Sequence, residues 1–307
     1  MPDAIKAENS AVTTFSGTGI PAPCPYHERG LFIIGAARSG TTILQNALND
    51  SRDIFLFGEP KFHSDLGTPD FAARYNSMHR SLGNQENKST FCPMFFVEDA
   101  PWHEYLAHCA GLYRYVGCKI AVNPQSAAFD SRQLFDFQSR YFYRSRYIFT
   151  FRSPIEVCIS TRGLAEYTGG VAASYEQVLH SFLTVMGLYL RMLRNFPWVS
   201  VLFHEETGVD SFTMLGKWLD LDLTTAASYY DETRVRHYSL DAIPAPHQER
   251  VSAVVALYEE FRAHSHLGFE RVQLDQNSNH FEQRHFTPLG DLARRIDAML
   301  ISLAPKG

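Results

Sequence analysis

The sequence predicts an α/β protein built as three layers, a parallel sheet flanked on both sides by helices. Three observations predict it. Short unbroken apolar runs such as Leu31–Ile34 read as strands buried on both faces. Amphipathic stretches at helical spacing alternate with those runs and are joined to them by short turns. One run feeds a glycine-rich turn that opens directly into a helix, and ligands in such sheets sit outside the carboxyl ends of the strands.

Residues 1–28 mix Ser, Thr, Gly, Pro and Ala without period and read as a flexible tail, which leaves 29–307 as a single domain. After the first strand, Ile43, Leu44, Ala47 and Leu48 repeat at helical spacing, so a helix starts near Thr41. Asp53–Phe57 is a second strand, stopped by Gly58-Glu59-Pro60. Residues 64–100 hold Gly67, Pro69 and a polar run from Ser81 to Thr90, and read as an irregular lid or insertion. The aromatics Phe91, Phe95, Phe96, Trp102 and Tyr105 suit either the core or an acceptor pocket. Tyr115–Ala121 is a third strand carrying Lys119, and Tyr147–Phe151 a fourth with Arg152 at its tip. There Ser153 is placed as N-cap, Pro154 as first helical residue and Glu156 as the partner in a Ser-x-x-Glu capping box. Ser174 and Gln177 repeat that signature before an amphipathic helix through Arg194. Trp198–Phe203 is a fifth strand, and Asp210–Leu219 a helix with Phe212, Leu215, Trp218 and Leu219 on one face. Helical stretches at about 247–264 and 288–303 close the chain.

The totals narrow the function. A composition of 45% hydrophobic and 20% charged residues is that of an ordinary soluble protein. The net charge of −5 argues against a general nucleic-acid binder, so any anion site must be a local gathering of Arg and Lys. The five cysteines show no paired or zinc-type spacing, which suits reduced thiols in the cytoplasm. No 18-residue apolar run or signal-peptide core is present, so neither a membrane span nor a membrane partner is expected. His103-Glu-Tyr-Leu-Ala-His108 is one residue too long for a zinc H-E-x-x-H, His264 and His266 read as a helix-end pair, and no metal is expected.

Gly35 to Thr42 carries the chemistry. A strand, a tight loop and a helix N-terminus bring free amides and the positive end of the helix dipole to one point, which suits an anion. The spacing is close to the P-loop G-x-x-x-x-G-K-[ST], but Thr41 replaces the lysine and the cation lies inside the loop, at Arg38. A planar guanidinium with two hydroxyls fits a nucleotide with fewer phosphates and no metal. The plainer alternative is a glycine turn whose arginine pairs with a surface acid.

The run G-x-x-R-S-G-T-T after a strand resembles the 5′-phosphosulfate loop of sulfotransferases that use 3′-phosphoadenosine 5′-phosphosulfate (PAPS). F-R-S-P-I-E-V-C-I-S resembles that family's 3′-phosphate motif, an arginine at a strand end followed eight positions later by serine. Val201–Leu221 is similar to the family's strand-and-helix segment, with His204 and Glu205 where Tyr and Glu are common, and both are given a packing role. The resemblance implies the P-loop-NTPase-like fold of that family, with Arg38, Ser39, Gly40, Thr41 and Thr42 at the 5′-phosphate and Arg152 with Ser160 at the 3′-phosphate. G-E-P-K-F-H looks like the strand-end motif of heparan-type members, which makes Glu59 the candidate base and His63 its reserve. Lys119 resembles a lysine that contacts the leaving phosphate or the base. PAPS is then the donor, and a small molecule or carbohydrate the acceptor at a hydroxyl or amine.

Two departures bear on that expectation. Arg38 stands where cytosolic steroid and phenol members carry lysine, and their C-terminal R-K-G adenine clamp is missing, with Arg234-Val-Arg236-His-Tyr238 as the candidate to replace it. The rival readings are a P-loop kinase, which would want the loop lysine and an Asp at a strand end, and a nucleotide-binding module without chemistry. Oligomeric state and acceptor identity stay open at this point.

Overall fold

The structure is a computed structural model that describes residues 23–63, 70–83, 102–230, 237–265 and 283–303. Five strands, β1 (Gly30–Ala36), β2 (Ile54–Gly58), β3 (Tyr115–Val122), β4 (Arg146–Phe151) and β5 (Val199–Phe203), form one sheet in the order β2-β3-β1-β4-β5. Every pairing is parallel. The five predicted strands all form, each within a residue or two of its expected bounds.

Strand parity explains the layers. Side chains alternate across a strand, so Phe32 and Ile34 fall on one face of β1 while Leu31 and Ile33 fall on the other. The first face packs against α4 (Ala127–Tyr141), α6 (Tyr175–Asn195), α8 (Ala245–His264) and α9 (Gln283–Leu303) in the larger core. The second face is covered by α1 (Thr41–Asn49) and α7 (Val209–Leu219), where Leu44, Leu48, Phe212, Leu215 and Leu219 meet Leu31, Ile33 and Ile148. The predicted face of Phe212, Leu215 and Leu219 is therefore the buried one. β2 is an edge strand, and Asn49 closes it from α1. Its Nδ2 donates to the Leu56 carbonyl and its Oδ1 accepts from the Leu56 amide, at 2.9 and 2.8 Å.

Three helices lie where the apolar pattern marks none. These are α2 (Phe71–Gly83), α3 (Trp102–Leu112) and α4. The first corrects the expectation of an irregular 64–100. Phe71, Ala72 and Tyr75 are spaced to share one face and are buried, but a glycine, a proline and a polar run flank them. Residues 64–69 and 84–101, with Phe91, Phe95 and Phe96, lie outside the described residues. Tyr105 is a core residue, and Cys158 is fully buried as expected. Among the described residues no helix is long and apolar enough to cross a membrane.

The capping signatures divide. Ser174 and Gln177 form a complete capping box at the start of α6. Ser153 makes no side-chain cap at α5 (Pro154–Thr168), although Pro154 takes the first position as predicted. That capping box is corrected by the structure, because Glu156 is engaged elsewhere.

Candidate active site

The loop after β1 is held from below. The Ala37 amide donates to the Val122 carbonyl at 3.2 Å, and the Ser39 amide to Ala36 at 3.1 Å. Ser39 Oγ donates to the Ala36 carbonyl at 2.7 Å and lies 3.2 Å from Thr150 Oγ1. Ser39 is fully buried, so it fastens the loop to β4 and does not turn its hydroxyl outward. Gly35 has to be glycine for a steric reason, since a Cβ there would stand 2.3 Å from Ser39 Oγ and 2.7 Å from Thr150 Oγ1. Gly40 has a left-handed φ of 92° and is the N-cap of α1. It has no side chain to bond the first-turn amides, which stay available at the mouth of the loop.

Four residues meet where the loop after β1 reaches the segment that joins β4 to α5. Arg38 Nε donates to Ser160 Oγ on α5 at 3.0 Å. Arg38 is exposed over much of its surface, yet partial burial of its guanidinium and then the charge of Arg152 lower its pKa. The charge of Arg152 thus reaches Arg38, and an anion near both would relieve that repulsion. Arg152 follows β4 directly, and its Nε donates to Glu156 Oε2 in the first turn of α5. Thus Arg38, Arg152 and Ser160, predicted for two separate phosphates, share one neighbourhood.

The other half of the site lies over β2 and β3. Cys118 and Ile120 face the larger core, so the intervening Lys119 points to the α1 side. There its Nζ donates to Thr42 Oγ1 at 2.8 Å and pairs with Glu59 Oε1 at 2.7 Å. The Lys119 side chain is 7% exposed, whereas that of Glu59 is 42% exposed. The parallel ladder continues one residue past β2, with the Glu59 amide donating to the Lys119 carbonyl at 3.0 Å, and this sets the two side chains together. Glu59 and Lys61 both adopt left-handed φ, 53° and 50°, on either side of Pro60. Non-glycine residues seldom do so, and such strain gathers at functional sites. Glu59, Lys61, His63 and Lys119 line a small cavity with Asp130 and Leu134 of α4. Thr41 opens α1 with its side chain buried.

Three residues that the sequence places in capping or packing roles make contacts of another kind. Glu156, 3% exposed, binds Arg152 and also lies 3.3 Å from His237 Nδ1 through its other oxygen. Glu205 accepts from the Ser153 amide and from Tyr258 Oη, the latter at 2.8 Å, and burial raises its pKa. Its role is to hold the start of α5, which corrects the packing role expected of it. His204 also departs from pure packing. Its Nδ1 is buried without a hydrogen-bond partner and lies 3.1 Å from where a Cβ on Gly40 would be. Burial, then the charge of Arg152, lowers its pKa to about 4, so the ring is neutral at pH 7. The signal for Glu156 is an acid four residues after a strand-end arginine, within reach across the first helical turn. Arg234 and Arg236 lie outside the described residues. Among those described, no group of His, Cys, Asp or Glu is arranged to hold a metal.

Several solved structures are similar to this chain. One is a sulfotransferase domain from the Synechococcus PCC 7002 olefin synthase, with 16% identity over 87% of this chain and 94% of that one, at a TM-score of 0.45. Another is a sulfotransferase domain from the curacin biosynthetic pathway, with 14% identity over 74% and 96% at 0.43. A third is retinol dehydratase in complex with androsterone and inactive cofactor PAP, with 12% identity over 92% and 82% at 0.36. The comparison with curated proteins gave no match. The sequence profile of the sulfotransferase family matches residues 30–198, more than half of the chain. That stretch runs from the first residue of β1 to the threshold of β5 and takes in the glycine loop, Glu59, Lys119, Arg152 and Ser160: the chain belongs to the sulfotransferase family.

Proposed function

We propose that this sulfotransferase moves a sulfuryl group from PAPS to a hydroxyl or amine of a small-molecule or carbohydrate acceptor by in-line displacement. The observation that carries the reading is the chain of contacts Thr42–Lys119–Glu59, which ties the start of α1 after the glycine loop to a partly exposed carboxylate at the end of β2. The residues fit the donor. Gly40 leaves the amides at the start of α1 uncapped for the 5′-phosphate, with the Thr41 amide and Thr42 hydroxyl beside them. Arg152 and Ser160 supply a cation and a hydroxyl for the 3′-phosphate. PAPS, when bound, supplies an activated sulfuryl group on a phosphate leaving group.

The protein's own groups divide the remaining work. Lys119 places a buried positive charge between the loop and Glu59, where negative charge grows on the departing phosphate. Arg38 adds a second cation from inside the loop. Glu59 takes the acceptor's proton at its exposed carboxylate, and the ion pair with Lys119 fixes its direction. The Glu59 side chain is the part of this ion pair open to solvent, and the acceptor approaches it from that side.

The test is an acceptor panel incubated with labelled PAPS and read by mass for one added sulfate. The Glu59→Gln variant keeps the shape but cannot take the proton, so turnover should fall by about 10²–10⁴. The stabilisation by 3′-phosphoadenosine 5′-phosphate, about 2.7 kcal/mol at ~100 times Kd, should persist in that variant. His63→Asn should cost clearly less. Near-normal turnover of Glu59→Gln would remove Glu59 as base. Equal thermal stabilisation by ATP with magnesium would count against the donor.

A further inference from the structure

Glu156 is a buried charge that the transfer scheme leaves unused. It sits in the first turn of α5 and is 3% exposed, more deeply buried than Arg152 beside it. A carboxylate taken this far out of water is kept where it is paired, and its partner here is the guanidinium assigned to the 3′-phosphate. One oxygen accepts from Arg152 Nε, and the other lies 3.3 Å from His237 Nδ1. Two effects of Glu156 on a phosphate at Arg152 oppose each other. Its negative charge repels any anion there. Its contact at Nε also takes up one of the five guanidinium donors and stops the side chain from turning, which leaves the two terminal nitrogens as one oriented edge. An arginine already ordered loses less side-chain freedom when the anion arrives.

We infer that Glu156 is a positioning residue for donor selection, holding Arg152 through Nε so that it favours 3′-phosphorylated over 3′-hydroxyl nucleotides. The inference rests on the assignment of Arg152 to the 3′-phosphate. The repulsion falls chiefly on the 3′-phosphate and lowers the preference, so the role requires that the oriented edge add more than the repulsion removes, and the charge-free Gln variant separates the two effects.

Calorimetric Kd values for adenosine 3′,5′-bisphosphate and adenosine 5′-phosphate, on the full chain, test it. Glu156→Asp keeps the charge but withdraws the oxygen by one methylene. The preference for the bisphosphate should drop about tenfold, all of it in weaker bisphosphate binding. Glu156→Gln keeps an acceptor at full length without the charge, and should hold the preference within about threefold. In an Arg152→Ala background the preference is gone and Glu156→Asp adds nothing. An unchanged preference in Glu156→Asp, or equal loss of both nucleotides, overturns the role. If the Asp variant does not fold, the near-isosteric Gln variant decides, since a tenfold rise in its preference would make charge the controlling effect. A preference that survives Arg152→Ala sinks the parent assignment and this one with it. A preference lost in Arg152→Ala but kept in Glu156→Asp sinks this one alone.

Discussion

Two helices in this protein begin with the same sequence signature and end up doing different things. α6 starts Ser174-x-x-Gln177, and the serine hydroxyl and glutamine side chain close a reciprocal capping box. α5 starts Ser153-x-x-Glu156, and neither half of the box forms. Its glutamate turns back to Arg152, and the Ser153 amide is satisfied instead by Glu205 from the turn after β5. The difference lies in what each helix end faces. α6 begins past the carboxyl edge of the sheet, where Ser181 donates to the Val122 carbonyl and Glu176 pairs with His247 and Arg250 of α8, which leaves Ser174 and Gln177 to bond each other. α5 begins at that edge, and its polar residues are drawn into the anion site. Local rules fail in natural proteins chiefly where function competes for the same groups.

The largest expected effect tests the α5 end directly. Arg152→Ala should weaken donor binding by about 2–4 kcal/mol, since a charge-assisted contact to phosphate is lost. It also strands Glu156, buried without its cation, so the variant should melt at a lower temperature as well. Titration calorimetry and a thermal melt on one preparation read both losses. A variant that binds and melts like the parent would make the α5 end as indifferent to the donor as the α6 end, and the comparison would collapse.

The same contrast explains what was legible in the sequence. The strands were readable because each is a short apolar run bounded by turn residues, and burial on both faces leaves no polar alternation to confuse the period. The glycine loop was readable because its parts are contiguous and their spacing is fixed by the turn itself. Lys119 and Glu59 were found as separate strand-end residues. Their ion pair depends on register, with Gly58 opposite Lys119, which no local pattern encodes. α4 was missed because Ala127, Leu134, Phe137 and Tyr141 are buried while Phe129 in the same helix is exposed, which blurs the stripe. Glu156 and Glu205 were misread for the opposite reason. Each fits an ordinary local role; the contact of Glu156 with Arg152 competes with the capping box across the same helical turn, whereas only a tertiary contact joins Glu205 to the Ser153 amide.

A smaller effect separates the two helix ends by pH. His204 lies beside the loop and protonates at about 4 in the folded protein, against 6.5 for an unperturbed imidazole. Between those values the unfolded chain binds more protons than the native one. The contribution of His204 is therefore fully present above pH 6.5 and is lost as the pH falls towards 4, by at most about 3 kcal/mol. His204→Gln should flatten that part of the stability curve in denaturant titrations at pH 7, 5.5 and 4.5. An unaltered slope would mean that the ring is not held neutral against the loop. The Ser174–Gln177 box contains no titrating group and adds nothing to the slope.

The smallest effect is the sharpest test of the comparison, because the two substitutions are chemically the same. Ser174→Ala removes the hydroxyl that accepts from the Gln177 amide at 3.2 Å, and it unmakes one side of a closed box. Loss of a serine N-cap costs about 1 kcal/mol. Ser153→Ala removes a hydroxyl that makes no cap, and the Ser153 amide keeps its bond to Glu205 because that bond is made by the backbone. Its cost should stay within about 0.5 kcal/mol, as for other positions without a special contact. Urea midpoints at constant m-value resolve the two. Equal losses at both positions would show that the α5 hydroxyl caps its helix after all. That would return Glu156 to the capping box and take away its hold on Arg152.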